Sequence, residues 1–575
     1  VESPMLRQLL YRRGIESALE AQQYLHAEGS LYDPFTLKDM PIAVDRILRA
    51  IQQDEKIAVY GDYDADGITA TALLVQWLRF LKGNAQEYIP DRFNEGYGLN
   101  LDAMQTLHNR GVQLIITVDC GIRSIQEVQR ANELGMDVIV SDHHWPEAEL
   151  PPALAIICPK QQGDEYPEKN LAGVGIAYKI ARALSDRLEI PQEEVDEYLD
   201  LVALGTVADL ADLTGENRAL VRKGLALLRN GPRLGVRALA GAANVNIINI
   251  NARTIGFTLA PRLNAVGRLK NDQLDTDQSD DEQLEIAQSA YQLLITQNDQ
   301  EAGLLAQRLD DKNKKRQKIT NEIQQAVRDR LQNEELGYLV CARDESFNPG
   351  IVGLAASRLV EHYYRPAIVG AIDTEKNTTR ASCRSINEFN ITAALDACSE
   401  LLDHHGGHKM AAGFTVKNEH WDELITRLQE IAENQLKDIE LHQSIEADWE
   451  LDGIESVTAL LKGDEGGNIY DWSDQLEPSG MGNPDVTLIV RNLLVKECRV
   501  IGKEDNRKHL KMKLTGQGKA SAVMDGIAWG KGDAWQPGDL TGKKIDLIGK
   551  VEKNYYNYQY INQLVILDFR LSEEK

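Results

Sequence analysis

The chain lacks several things that would otherwise set its class. No apolar run approaches the roughly 18 residues needed to cross a bilayer, and the start, VESPMLRQLLYRRG, has no uninterrupted hydrophobic block of the secretory kind. A cytoplasmic location, with no membrane partner, is the expectation. Cysteine is scarce and unpatterned. The six residues Cys120, Cys158, Cys341, Cys383, Cys398 and Cys498 include no CxxC spacing, which argues against a zinc ribbon and a disulfide scaffold alike. Any metal here should be held by oxygen and imidazole. Positive charge is also short: 63 Lys plus Arg face 89 Asp plus Glu, a net of -26 that weighs against nucleic acid as a partner of the whole surface. The deficit is uneven, because from Val490 onward 16 basic residues outnumber 11 acidic ones, leaving -31 on the remainder. An acidic body bears a mildly basic tail.

At 575 residues the chain exceeds one hydrophobic core and predicts several domains. Residues 1–50 have helical apolar spacing, as in LRQLLYRRG and AVDRILRAIQQ. The pattern then changes, and 51–270 form one region. KIAVY, VQLIITV, MDVIVS and ALAIIC are short β-branched runs separated by helical stretches, the signature of a parallel sheet covered on both faces. The acidic stretch 272–282 reads as a solvated loop, and 283–332, free of proline, as one or two long helices bridging two domains. A second mixed α/β region occupies 335–440, and a connecting segment 441–485. From 486 to 575, short alternating runs such as KHLKMKLT and KIDLIGKVE predict an all-β barrel. The fold class is therefore α/β with an appended barrel.

Chemistry concentrates after the strands: GDYDADG follows the first apolar run, DCG the second and DHH the third. Ligands of open parallel sheets sit at those strand ends. Asp62, Asp64 and Asp66 alternate, so in extended backbone they project to one side and repel unless a cation neutralises them. Alone, the motif could equally be a polar turn capping the next helix. With Asp119 and His143 at the same edge, it offers four carboxylates and an imidazole without thiolate, a set suited to Mn²⁺ or Mg²⁺. That charge serves two ions, which Asp119 could bridge, and paired divalent ions are a recurring device for phosphoester hydrolysis.

In this order DYDADG, VDCG, SDHH and GTVAD resemble the motifs of the DHH phosphoesterase superfamily, and GGHKMAAG resembles the mark of its associated domain. With RFNEGYGL, PRLNAVGR and the terminal barrel, nearly the whole chain is similar to the 5′ to 3′ single-strand-specific exonucleases of that superfamily. The resemblance implies a DHH domain, a DHH-associated domain and an oligonucleotide-binding (OB-like) barrel. It implies Asp64, Asp66, Asp119, His143 and Asp209 as metal ligands, with His144 facing the scissile phosphate and Asp142 orienting a histidine. Asp62 is a further acidic candidate, although in relatives the two later carboxylates of the motif do the binding. The implied partner is single-stranded DNA, in DNA repair and recombination, with a single-strand-binding protein or a helicase as protein partners and a monomer as the expected state. Two other readings stay open: a DHH phosphodiesterase acting on short oligonucleotides or cyclic dinucleotides, and an inactive DNA-binding scaffold.

Arg262, Asn264 and Arg268 in APRLNAVGR are candidate phosphate contacts, since arginine makes forked hydrogen bonds with phosphate. Gly406, Gly407 and His408, with Arg384, resemble the family's nucleotide-gripping surface. Two departures stand out: Asn348 where many relatives carry histidine, and Ser479 where an aromatic is usual. His404 and His405 make another pair and are expected to be structural. In the barrel, Lys508, Lys511, Trp529 and Tyr556 stand for a basic, aromatic-studded surface that could hold a single strand, or that merely fills and solvates the barrel.

Overall fold

The computed structural model describes the chain apart from residues 1–2, 27–30, 92–94, 97, 270–287, 332–335, 464–467, 503–508, 517–520, 533, 557–558 and 573–575, and the side chains of 554–556 and 559–560. The acidic stretch 272–282 and the start of the bridging segment lie outside the described residues. Two compact units emerge. One comprises Tyr32–Ala211 and Lys223–Gln443, the other Val1–Leu31, Asp212–Arg222 and Ser444–Lys575.

In the larger unit the first sheet contains β1 (Lys56–Gly61), β2 (Asn84–Tyr88), β3 (Leu114–Val118), β4 (Asp137–Ser141) and β5 (Ala155–Ile157), all parallel in the order β2-β1-β3-β4-β5. The four apolar runs become β1, β3, β4 and β5. Their burial on both faces explains the absence of alternation. The fifth strand, NAQEY, carries no apolar run because it is a half-exposed edge. Ala58, Tyr60, Ile115, Val138 and Val140 pack against Met104, Leu107, Val128 and Ala131 of the helices Leu101–Asn109 and Ile125–Glu133. The helices Ala65–Phe80 and Gly173–Arg187 pack against each other and against the strands.

A second sheet contains β6 (Val340–Asp344), β7 (Ala367–Asp373), β8 (Thr378–Arg384), β9 (Leu402–His408) and β10 (Ala411–Lys417), in the order β6-β7-β8-β10-β9 with only β6 and β7 parallel. The helix Asp299–Leu331 joins the two halves of the unit. Its 33 residues extend about 50 Å. It packs against Leu234–Ala242 of the first half and Val352–Tyr363 of the second. Near its end, Ile323 and Val327 enter the core formed by Val340, Ile351, Ala355 and Val369.

The smaller unit contains β11 (Trp449–Asp452), β12 (Leu488–Ile501), β13 (His509–Thr515), β14 (Val523–Ala528), β15 (Lys544–Tyr556) and β16 (Gln559–Leu571). The order β12-β13-β14-β16-β15 closes through pairing of β12 with β15, so the sheet is a barrel, with β11 added alongside β12. Closure removes the exposed edges that an open sheet would present. Its core continues into the N-terminal helices Pro4–Arg12 and Ala18–His26, whose Leu6, Leu9, Leu10 and Leu25 join Leu488, Val490, Leu547 and Leu564. The helical stretch 1–50 is thus divided, for the helix Met40–Gln52 belongs to the larger unit. Among the described residues no helix is long and apolar enough to cross a membrane.

Candidate metal centre

The loops at the carboxyl ends of β1, β3 and β4 meet the end of the helix Leu199–Ala208. Asp62, Asp64 and Asp119 bring carboxylate oxygens within 4.8 Å of one another; Asp66, His143 and Asp209 do the same, as do Asp119, His143 and His144. Each is held by local structure. Asp64 is the N-cap of the helix Ala65–Phe80, its Oδ1 accepting from the amides of Asp66 at 2.9 Å and Gly67 at 3.1 Å. The capping and ligand readings of this motif are therefore compatible. Asp66 occupies the first turn of that helix, and Asp209 is the C-cap of Leu199–Ala208. Asp119 leaves β3 with φ of 62°, a left-handed conformation that costs a non-glycine residue about 1 kcal/mol or more.

Backbone supplies a support that no side-chain motif announces. The amides of Gly173 and Val174, at the start of Gly173–Arg187, donate to the two oxygens of Asp66 at 2.7 and 2.9 Å. The positive end of a helix thereby fixes one of the candidate acidic ligands. A Cβ on Gly173 would stand 2.6 Å from Cβ of Asp119, and one on Gly205 would stand 2.7 Å from Oδ1 of Asp66. Both glycines let helices approach the carboxylates closely.

Asp142 is almost fully buried, and its oxygens accept from Ile122 N at 2.9 Å, His143 N at 2.7 Å, His144 N at 3.1 Å and His144 Nδ1 at 2.7 Å. Burial favours its neutral form, but the His144 hydrogen bond and charge outweigh this and hold its carboxyl below the usual range. Burial likewise opposes the charged form of His144, and the same bond raises that histidine's pKa on balance. Asp142 therefore fixes the ring of His144, leaving any contact with a substrate to Nε2.

Asp119 Oδ1 and His143 Nε2 are shut off from solvent and stand 3.0 Å apart, yet neither makes a hydrogen bond. Burial lowers the pKa of His143 and so favours its neutral ring. An oxygen and a ring nitrogen brought this close without a hydrogen bond are two donor atoms that one cation could share. Asp119 points the same way: burial first, then the charges of Asp66 and Asp64, push its carboxyl well above the usual range. Burial and the charge of Asp209 push Asp66 up to about 7; burial and the charge of Asp64 push Asp209 up to about 7. This donor set fits divalent cations: crowded carboxylates gain their charged, coordinating form when positive charge is supplied, and an imidazole coordinates through a ring nitrogen of its neutral form.

The other candidates separate into those at the centre and those elsewhere. Asn264 reaches it, Oδ1 accepting from Ala65 N at 2.7 Å. Arg262 is engaged within the protein: Nε and Nη2 lie 2.9 and 2.8 Å from the buried Asp310 of the long helix, and Nη1 donates to Thr258 O at 2.6 Å. The carbonyl of Arg268 lies against the loop of the second half, where a Cβ on Gly350 would meet it at 2.3 Å. In that loop Asn348 Oδ1 accepts from Gly350 N at 2.8 Å, and its carbonyl accepts from the amides of Ile351 and Val352, at the N-cap and first residue of the helix Val352–Tyr363. Ser479 is half-buried in the smaller unit.

Arg384 and His408 both register against Ala411, across β8, β10 and β9. Gly406 pairs with Gly413, and Gly407, at φ of 146°, would place a Cβ 2.4 Å from Ala411 O. These four candidates share one end of the second sheet. His404 and His405 are preceded by Asp403 and so repeat the Asp-His-His order, but on the edge strand β9; His405 Nε2 lies 2.8 Å from Asp396 and His404 Nε2 3.2 Å from Thr415 Oγ1. In the barrel Lys511 pairs with Asp525 at 3.2 Å, and the half-exposed Trp529 packs edge-on to His509 at 4.8 Å. Lys508 and the side chain of Tyr556 lie outside the described residues.

This arrangement of a parallel sheet, strand-end carboxylates and a second mixed domain agrees with domain families: residues 56–206 match the N-terminal domain of the DHH family and residues 335–438 the DHHA1 domain. Residues 466–568 match the RecJ OB domain. The protein named single-stranded-DNA-specific exonuclease RecJ from Bacillus subtilis is 41% identical, over 99% of this chain and 68% of its own length. Its namesake from Escherichia coli is 34% identical over 98% of this chain and 95% of its own. A RecJ crystal structure from Thermus thermophilus in complex with Mn²⁺ superposes with a TM-score of 0.79 at 29% identity, covering 99% of this chain and 76% of that one. The chain belongs to the RecJ family.

Proposed function

We propose that the protein hydrolyses single-stranded DNA from its 5′ end and releases 5′ mononucleotides, using Mn²⁺ or Mg²⁺, two ions in all. The observation that carries this reading is the 3.0 Å approach of Asp119 Oδ1 and His143 Nε2 with no hydrogen bond between them, within a cluster of further carboxylates. Asp64, Asp66, Asp119, His143 and Asp209 hold the metal, and Asp62 adds negative charge beside Asp64 and Asp119. When bound there, divalent cations supply Lewis acidity toward the phosphodiester and make water a nucleophile at neutral pH. His144, oriented by Asp142, offers Nε2 to a phosphate oxygen. Water attacks phosphorus, the P–O3′ bond breaks, and the first nucleotide leaves with its 5′-phosphate and a 3′-hydroxyl.

The relatives' names support the single-stranded substrate, the metal-bound Thermus structures support the cofactor, and the RecJ OB match favours a polymeric substrate over a cyclic dinucleotide. Arg268, Asn264, Arg384, Gly406, Gly407 and His408 line the strand's path between the two halves of the larger unit. The long helix Asp299–Leu331 sets the width of that path, which admits an unpaired strand and excludes a duplex. Arg262 holds the helix in register through Asp310. The test is a pair of single strands, one labelled at each end, incubated with Mn²⁺ and either wild type or Asp119→Ala. The expected result is early release of the 5′ label by wild type alone. Release from the 3′ end first, equal hydrolysis of a blunt duplex, or full activity of the variant would contradict the reading.

A further inference from the structure

Three loops at the metal edge carry residues that neither the ligand set nor the phosphate candidates include. Trp145 follows His144 directly and exposes 62% of its surface, an unfavourable setting for an indole unless something covers it. Lys160, three residues beyond β5, brings its ammonium to 5.6 Å from the centre of that ring. Among the described residues no carboxylate lies within ion-pair distance of Lys160, although its charge reaches both Asp209 and His143. The exposed Arg123, from the loop after β3, donates through Nε to the carbonyl of Trp145 at 2.9 Å, and its charge reaches His144. Cys158 Sγ, 3.6 Å from the carbonyl oxygen of His144, ties the loop of Lys160 to that of Trp145. The strand ends thus hold an exposed aromatic face and two cations immediately beside a pocket of crowded carboxylates.

A polyanionic strand approaching five or six carboxylates is repelled until positive charge offsets them, and an unpaired base presents a π-face of the size of an indole. Aromatic stacking combined with a cation on the backbone is the general way in which single strands are held without regard to sequence. We propose that Trp145 and Lys160 form a nucleotide subsite next to His144: the indole stacks on a base of the bound strand and the ammonium contacts a backbone phosphate. Arg123 acts as a positioning residue, fixing the backbone that carries the indole. The subsite rests on the reading of the protein as a single-strand nuclease and adds residues that the motifs of that reading do not contain.

The test uses the full chain with Mn²⁺ and two single strands, one ordinary and one whose 5′-terminal nucleotides are abasic. Trp145→Ala should raise KM for the ordinary strand about tenfold, the loss of one stacked base, with the change in KM and not in kcat. Trp145→Phe should recover most of it. On the abasic strand, Trp145→Ala should have no further effect. Lys160→Gln should raise KM on both strands and flatten the dependence of log KM on log salt by about 0.7, the contribution of one phosphate contact. An unchanged KM for Trp145→Ala on the ordinary strand, or an equal rise on both strands, would overturn the stacking role; an unchanged salt slope for Lys160→Gln would overturn the phosphate contact. Failure of wild type to release nucleotides from either strand would instead overturn the functional reading beneath it. Both substituted side chains project to the surface, and thermal unfolding within about 2 °C of wild type verifies that the variants are folded.

Discussion

The chain contains the order Asp-His-His twice, at 142–144 and 403–405, and the two copies have different surroundings. The first lies at the carboxyl end of a parallel strand, where Asp142 is nearly inaccessible, His143 is 9% exposed, and carboxylates from two other strand ends and a helix end converge. The second lies within an antiparallel edge strand, where Asp403 and His404 face solvent and the nearest carboxylate to His405, Asp396, is itself exposed. A strand end turns successive side chains and backbone amides toward one point, so that one aspartate can accept four hydrogen bonds and fix its neighbours. Within a strand, successive side chains point to opposite faces and cannot share a task. Position at the sheet edge, and not the tripeptide, gathers the candidate metal ligands.

Substitutions can break or sharpen that contrast. Asp119→Ala has the largest expected effect, because it removes the carboxylate common to two of the ligand groups. Lewis acidity worth several kcal/mol is lost, and kcat/KM for nucleotide release should fall by more than about a thousandfold. Asp142→Asn keeps the size of the residue but weakens its hold on His144, and should cost about 10- to 100-fold in kcat. Gly173→Ala forces a Cβ to 2.6 Å from that of Asp119 and displaces the amides that hold Asp66. It should weaken Mn²⁺ binding about tenfold, the loss expected when groups that orient a metal ligand are disturbed, measured by the manganese dependence of the unfolding temperature. His404→Ala with His405→Ala, at the other tripeptide, should change nucleotide release less than about twofold and stability by no more than about 0.5 kcal/mol.

Much of the centre is legible in the sequence because its side chains follow apolar runs at the ends of buried strands, a pattern that needs only local sequence. Asp62, Asp64, Asp66, Asp119, Asp142 and His143 can be placed at one edge for this reason. Asp209 cannot be placed by spacing, since it ends a helix; only the resemblance to DHH phosphoesterases singles it out. The grip of Gly173 and Val174 on Asp66 leaves no signature because backbone amides exist at every residue. The pairing of Arg262 with Asp310 leaves no signature either, since the partner is 48 residues away, across the acidic stretch. The strand NAQEY escapes a reading by apolar runs because an exposed edge needs none, and the shared core of the N-terminal helices and the barrel escapes it because it joins residues more than 400 apart. Trp145 and Lys160 belong to the same class, a pair built by adjacent loops and invisible to any single motif.

Calorimetric titration of Mn²⁺ into wild type, His143→Ala and the His404→Ala, His405→Ala double variant tests the central claim most directly. The account predicts that His143→Ala loses at least about tenfold in affinity, while the double variant binds as wild type does. Undiminished binding by His143→Ala, or loss of binding in the double variant, would contradict it.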